Sequence, residues 1–315
     1  MFNTKKLRTE MRRILYNYFV SAFICMVCLW MVTSCTERPH GQPQGQPRSV
    51  ETVKSVETVN IAAVKSAAEE GDADAQYNLA MMYQEGPGDL PLSFAQSTRW
   101  LRAAAEQGHA AAQYELATFY EGGYLAVDQD YAKALMWYRK AAEQGHSIAQ
   151  TNLGYMYSQG HGTEKNDVEA VAWFRKAAEQ GYADAQFYLA LNYSGGQGID
   201  QNYEEAVKWH LRAAEQGSSA SQNKLGEMYA EGKGVIRNDT EAIKWFRKAV
   251  ERADIDKNAP FIMYAQYNLG VMYEEGRGVP KNEFLAMKWY TKAAERGSRD
   301  AEIAIERLKK KNEKK

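Results

Sequence analysis

An all-α solenoid of about six two-helix repeats, closed by a half-repeat cap at each end, is the fold this sequence predicts, and three observations predict it. Six tryptophans, Trp100, Trp137, Trp173, Trp209, Trp245 and Trp289, recur at intervals of 37, 36, 36, 36 and 44 residues. Six glutamines, Gln76, Gln113, Gln150, Gln186, Gln222 and Gln266, precede them by 23 or 24 residues, with glycine pairs between the two markers. The apolar residues within each half-period follow helical rather than strand spacing, and a period of this length describes a stack of two-helix units.

The elements follow in chain order. The solenoid is expected over 61–311, with repeats at about 72–108, 109–145, 146–181, 182–217, 218–263 and 264–297. A first half-unit, 61–71, places Ala63 in the tryptophan phase, 13 residues before Gln76. The third unit shows the internal logic best. Its first helix carries Ala149, Leu153, Met156 and Tyr157 on one stripe, with Gly154 small enough to admit a neighbour. Its second carries Ala170, Trp173, Phe174, Ala177 and Ala178, leaving Arg175, Lys176 and Glu179 for solvent. Between them Gly160 and Gly162 permit the positive φ that ends a helix.

Asn166 then stands at an N-cap position, matched in the other units by Ser93, Asp130, Asn202, Asn238 and Asn282, each able to accept from a free first-turn N–H. Replacing such a cap by alanine costs roughly 0.5–2 kcal/mol. Alanines one turn either side of the tryptophans predict a large indole knob locked between successive helices, worth about 3–5 kcal/mol on truncation. Between Trp245 and Gln266 the interval is 21 residues instead of 13, an insertion of eight around 253–263 that lengthens one inter-unit connection. The closing half-unit, 298–311, puts Glu302 in the glutamine phase with Ile305 and Leu308 as its stripe. Lys309, Lys310 and Lys311, and the basic tail 312–315, complement the negative end of that helix.

The string Ala-Gln-x-x-Leu-Gly-x-Met-Tyr, then Gly-x-Gly-Val, then Ala-x-x-Trp-x-x-Lys-Ala-Ala-Glu-x-Gly resembles the Sel-1-like repeat of the tetratricopeptide superfamily; its clearest copy runs from Ala265 to Gly297. The resemblance covers Ile61 to Leu308. It implies a right-handed α-solenoid with a concave groove, and protein recognition without shared chemistry. Aligned with tetratricopeptide helices, Tyr77, Tyr114, Thr151, Phe187, Asn223 and Tyr267 would face that groove. Tyr155, Leu191 and Glu227 would lie one turn further on. An aromatic groove residue either anchors a partner or packs between helices, and Thr151, Asn223 and Glu227 are the positions expected to be free to vary.

The first 35 residues stand apart from the repeats. Lys5, Lys6, Arg8, Arg12 and Arg13 precede an apolar run from Ile14 to Val32 that stops at Thr33-Ser34-Cys35, a targeting pattern similar to the bacterial lipoprotein box with Cys35 as the acylated residue. Met11 offers an alternative start. The other reading is an uncleaved membrane helix, since the run is just long enough to span. Both put the repeats outside the cytoplasm. Residues 36–60, rich in Pro, Gly and Gln, read as a tether with a reach of about 25–30 Å.

Without residues 1–35 the chain holds 34 basic and 39 acidic groups, which argues against a broad nucleic-acid footprint. All three cysteines, Cys25, Cys28 and Cys35, lie at or before the proposed cleavage site. The repeats therefore differ from disulfide-stapled, cysteine-rich relatives. Every Gly-x-Gly joins two helices and none follows a strand, so the loops read as turns, not phosphate cradles. His109, His146, His161 and His210 fall in different phases without a partner at ligand spacing. No catalytic, cofactor-binding or metal-ligating residue is assigned. The expected function is a non-enzymatic adaptor of the bacterial cell envelope, lipid-anchored on the periplasmic face or outer membrane, with other proteins as partners. A surface-exposed host-interaction module and an envelope hydrolase of penicillin-binding type are the alternatives, the latter without any nucleophile beyond scattered serines.

Overall fold

The computed structural model describes residues 60–87, 89–123, 127–251 and 260–313. The assignments to residues 1–59, including the lipoprotein box, Cys35 and all but the last residue of the tether, lie outside them. Among the described residues there are fourteen α-helices and no strand. A cap helix α1 (Ile61–Glu69) leads into six pairs: α2 (Ala73–Glu85) and α3 (Phe94–Glu106), α4 (Ala110–Gly122) and α5 (Tyr131–Glu143), α6 (Ser147–Gln159) and α7 (Asp167–Glu179), α8 (Ala183–Gly195) and α9 (Tyr203–Glu215), α10 (Ser219–Glu231) and α11 (Asp239–Val250), α12 (Pro260–Glu275) and α13 (Glu283–Glu295). The last helix is α14 (Arg299–Asn312). Each helix packs on the one before and the one after, which is how a solenoid distributes its core.

The helix ends follow the residues that cap them. Ser93, Asp130, Asn166, Asn202, Asn238 and Asn282 all accept a backbone N–H three residues on, at 2.9–3.3 Å. Their own N–H groups donate to the carbonyls of Tyr83, Tyr120, Tyr157, Tyr193, Tyr229 and Tyr273, so one residue starts the second helix and fixes the end of the first. Gly160 and Gly162 have φ of +73° and +71°.

The glutamines that mark the period are buried polar rungs. Gln150, 4% exposed, donates to the Ala142 carbonyl at 3.0 Å and accepts from Gln180 at 2.7 Å, tying three helices together. Gln76, Gln113 and Gln186 are held the same way by Gln107, Gln144 and Gln216. This satisfies amides that burial would otherwise penalise. A second rung joins Arg102 to the Tyr120 hydroxyl at 3.1 Å and Arg175 to that of Tyr193 at 3.0 Å.

Only two of the six tryptophans are buried as expected. Trp137 and Trp209 are 7% exposed, while Trp100, Trp173, Trp245 and Trp289 are only partly buried. Each of the last five lies beneath a cation one turn later; the Lys176 ammonium, for example, is 3.8 Å from the Trp173 ring centroid. The fully enclosed knob is the next residue: Leu101, Tyr138, Phe174, His210, Phe246 and Tyr290 are all 2% exposed or less. A helix turns about 100° per residue, so both neighbours border the apolar stripe, and the smaller ring takes the interior. Gly154, Gly226 and Gly270 make room for Phe174, Phe246 and Tyr290.

His210 is the polar exception in that column. Its Nδ1 lies 3.3 Å from the Ser221 hydroxyl, Nε2 has no partner, and burial pushes its pKa down to about 3, with Lys224 adding to the effect. The folded chain refuses a proton that the unfolded chain accepts below about pH 6.5. The imidazole therefore costs nothing above that pH, and stability falls as the pH drops from 6.5 towards 3, by up to about 1.4 kcal/mol per unit. In urea denaturation the wild type is expected to lose roughly 2 kcal/mol more than His210→Leu between pH 7 and pH 5, the difference between the two isolating the imidazole from carboxyls that titrate in the same window. Leucine already fills this position in the first unit as Leu101.

Candidate docking surface

The first helices of the units, α2, α4, α6, α8, α10 and α12, bring the sequence-assigned groove residues to one wall, and the N-terminal part of that wall is built from ring stacking. Tyr77 stacks on His109 at 4.7 Å between centroids. His109 caps α4 by accepting the Ala112 N–H at Nδ1, 3.1 Å, which leaves Nε2 as the protonated nitrogen, 3.2 Å from Asp74. The next unit repeats the device. Tyr114 stacks on His146 at 4.9 Å, and His146 accepts the Ala149 N–H at 3.2 Å, with burial lowering its pKa. Tyr155 is 37% exposed and leans on Tyr188 of the next first helix at 6.1 Å.

The C-terminal part of the wall is closed. Helix α12 is 16 residues long where its counterparts have 13, and it packs directly on α10. Its first turn carries Phe261 across to Phe187 on α8, edge to face at 5.4 Å. Phe187 is 8% exposed. Asn268 donates to Asn223 at 3.2 Å, and Asn223 donates to Glu227 at 2.7 Å, which also takes Lys224 at 2.8 Å. Leu191 is partly buried, and so is Tyr267, which leans on Tyr290 at 5.6 Å.

This corrects the expectation for the three positions thought free to vary. Thr151 is 3% exposed and returns its hydroxyl to the Ser147 carbonyl at 2.9 Å; Asn223 is 1% exposed; Glu227 is spent on two partners. Asn223 is closed in by Asn268 of α12, which packs on α10, and Glu227 is held by Asn223 and Lys224 of its own helix. Two wall residues were missed, both two positions after the phase glutamine: Tyr188, whose ring stacks on Phe174 at 5.1 Å, and Glu115. The signal was a column reading Asn78, Glu115, Asn152, Tyr188, Lys224 and Asn268, a stripe whose chemistry changes from unit to unit.

Charge is divided between the two kinds of helix. Helices α2, α4, α6 and α8 carry no lysine or arginine, whereas α3, α5, α7 and α9 carry nine. Burial pushes the Glu115 carboxyl up to about 7 and also raises that of Asp184, which accepts the Tyr182 hydroxyl at 3.3 Å. Among the described residues no group of three or more His, Cys, Asp and Glu could hold a metal ion, and no helix is long and apolar enough to cross a membrane.

Six stacked helix pairs with aromatic side chains along their first helices define an α-solenoid. Sel1 repeats are recognised at residues 73–109, 110–146, 147–182, 183–218, 219–254 and 264–298, and the chain belongs to the Sel1 repeat family. Proteins of this family are generally protein-interaction scaffolds and typically non-enzymatic. Among solved structures, c5321, a protective antigen of uropathogenic Escherichia coli strains displaying an SLR fold, is 38% identical with a TM-score of 0.71; the match covers 79% of this chain and 51% of that one. This chain thus spans about half the length of that antigen. A Sel1 repeat protein from Oxalobacter formigenes is 33% identical with a TM-score of 0.64, over 78% of this chain and 68% of that one. No curated protein matched.

Proposed function

We propose that this chain is an envelope-anchored docking scaffold, held by acylated Cys35 through the 36–60 tether, that binds a peptide or helix of another protein on its first-helix wall. The observation that carries the reading is the wall itself: Tyr77 and Tyr114 take equivalent positions on α2 and α4, and Tyr155, one turn further along α6, remains 37% exposed. Aromatic side chains of this kind anchor partners at low entropic cost. A photo-crosslinking amino acid at position 155 of the full-length chain, in cells, is expected to capture a defined protein. The same probe at Met136 on a second helix, 43% exposed, should not. Equal capture from both positions, or none from 155, removes the reading. Labelled palmitate should enter the wild-type chain and not Cys35→Ser; incorporation into both removes the anchor.

A second reading, display to a host on the cell surface, is favoured by the likeness to the protective antigen. Protease shaving of intact cells separates the two, since only a displayed chain is cut.

A further inference from the structure

We propose that the first-helix wall of units one to four receives a cationic segment of its partner, with a lysine or arginine side chain seated at Glu115. The inference rests on the docking reading above and names the chemistry of the occupant. Three observations carry it. The open part of the wall, on α2, α4, α6 and α8, holds Asp74, Glu115 and Asp184 and not one lysine or arginine, although the helices that alternate with them are rich in both. An incoming cation therefore meets no like charge on these helices.

Glu115 is the second observation. Its side chain is partly buried, enough to raise its carboxyl above the usual range, and no hydrogen bond or ion pair holds the carboxylate among the described residues. The register shows where it points. In the same column Tyr188 reaches Tyr155, and Asn268 reaches Asn223 and Glu227, in each case a residue on the preceding first helix. By that register Glu115 faces the Tyr77 and Met81 positions of α2. Tyr188 and Asn268 bridge this seam in later units, whereas Glu115 leaves an unpaired carboxylate on it, the group that a guanidinium or ammonium pairs with best.

The third is the boundary. Phe261 covers Phe187 at the far edge of α8 and the Asn268–Asn223–Glu227 network fills the wall at α10, so a ligand has the N-terminal units and not the whole array. The one lysine on a first helix, Lys224, is already taken up by Glu227 behind that boundary.

A phage-displayed library of random twelve-residue peptides selected on the full-length chain tests this. The expected result is enrichment of lysine and arginine, with affinity that falls as salt rises and weakens tenfold or more in Glu115→Gln, while Glu106→Gln on α3 leaves it unchanged. Circular dichroism should show both variants folded. Glu115→Gln should also leave the melting temperature at pH 8 no lower than that of the wild type, since it removes an unpaired charge, so weaker binding would not reflect unfolding. Enrichment of neutral or acidic peptides that still require Tyr155 overturns the charge inference and leaves the docking reading standing. Binding indifferent to both Glu115→Gln and Tyr155→Asp, or no enrichment at all, overturns both.

Discussion

Gly198→Ala is expected to destabilise the chain by roughly 3 kcal/mol, far more than one added methyl group suggests. Gly198 has φ of +71°, and a β-carbon there would run into the backbone carbonyl of Asp167, the first residue of α7 in the preceding unit. The second glycine of each Gly-x-Gly turn is thus a joint between units as well as a turn residue: Gly162, Gly234 and Gly278 lie just as closely on Tyr131, Tyr203 and Asp239. Backbone on both sides leaves no flexible side chain to give way. Gly181→Ala supplies the control, because its φ of +93° carries the same left-handed strain with nothing within 4 Å of the added carbon. That variant should lose only about 1–2 kcal/mol. Equal losses in urea titrations would show that the joint is loose. In an array stabilised by nearest-neighbour interfaces, the Gly198 variant should also unfold in a broader transition than wild type.

The period, the helix pairing and all six second-helix caps were legible because each is a local rule written in one residue type. Asn166 caps its helix whatever surrounds it, and Gly154 announces close approach by lacking a side chain. The choice between Trp173 and Phe174 was not legible. Both satisfy the same helical stripe, and only the packed neighbour decides which ring faces inward. The tryptophans are the conspicuous period marker, yet the enclosed position beside them varies among Leu, Tyr, Phe and His, and variation hides a column from a reading that looks for repetition. Asn223 fails for another reason: its burial comes from α12, whose extra first turn follows the insertion and has no counterpart in other units.

The pair Phe174 and Gly154 offers the sharpest test of which ring holds the stack. Phe174 is 1% exposed, and a β-carbon on Gly154 would stand 2.8 Å from two of its ring carbons and 3.1 Å from the Ala170 carbonyl. Phe174→Ala should cost about 4 kcal/mol, because the opposing glycine has no side chain with which to fill the cavity. Trp173→Ala should cost about half as much, since its ring is partly exposed and its contact with Lys176 contributes only about 0.5–1 kcal/mol. A reversed order would restore the tryptophan to the centre. The first unit supplies the complementary pairing, Leu101 with Ala80 at the glycine position, both fully buried. Gly154→Ala and Phe174→Leu should therefore each destabilise alone, the first by overpacking at about 1–3 kcal/mol and the second by a void. Together they should recover at least 0.5 kcal/mol relative to the sum, the mark of residues in contact. Strict additivity in the double-mutant cycle would mean that the two positions do not sense each other, and that volume matching across this seam does not hold neighbouring helices in register.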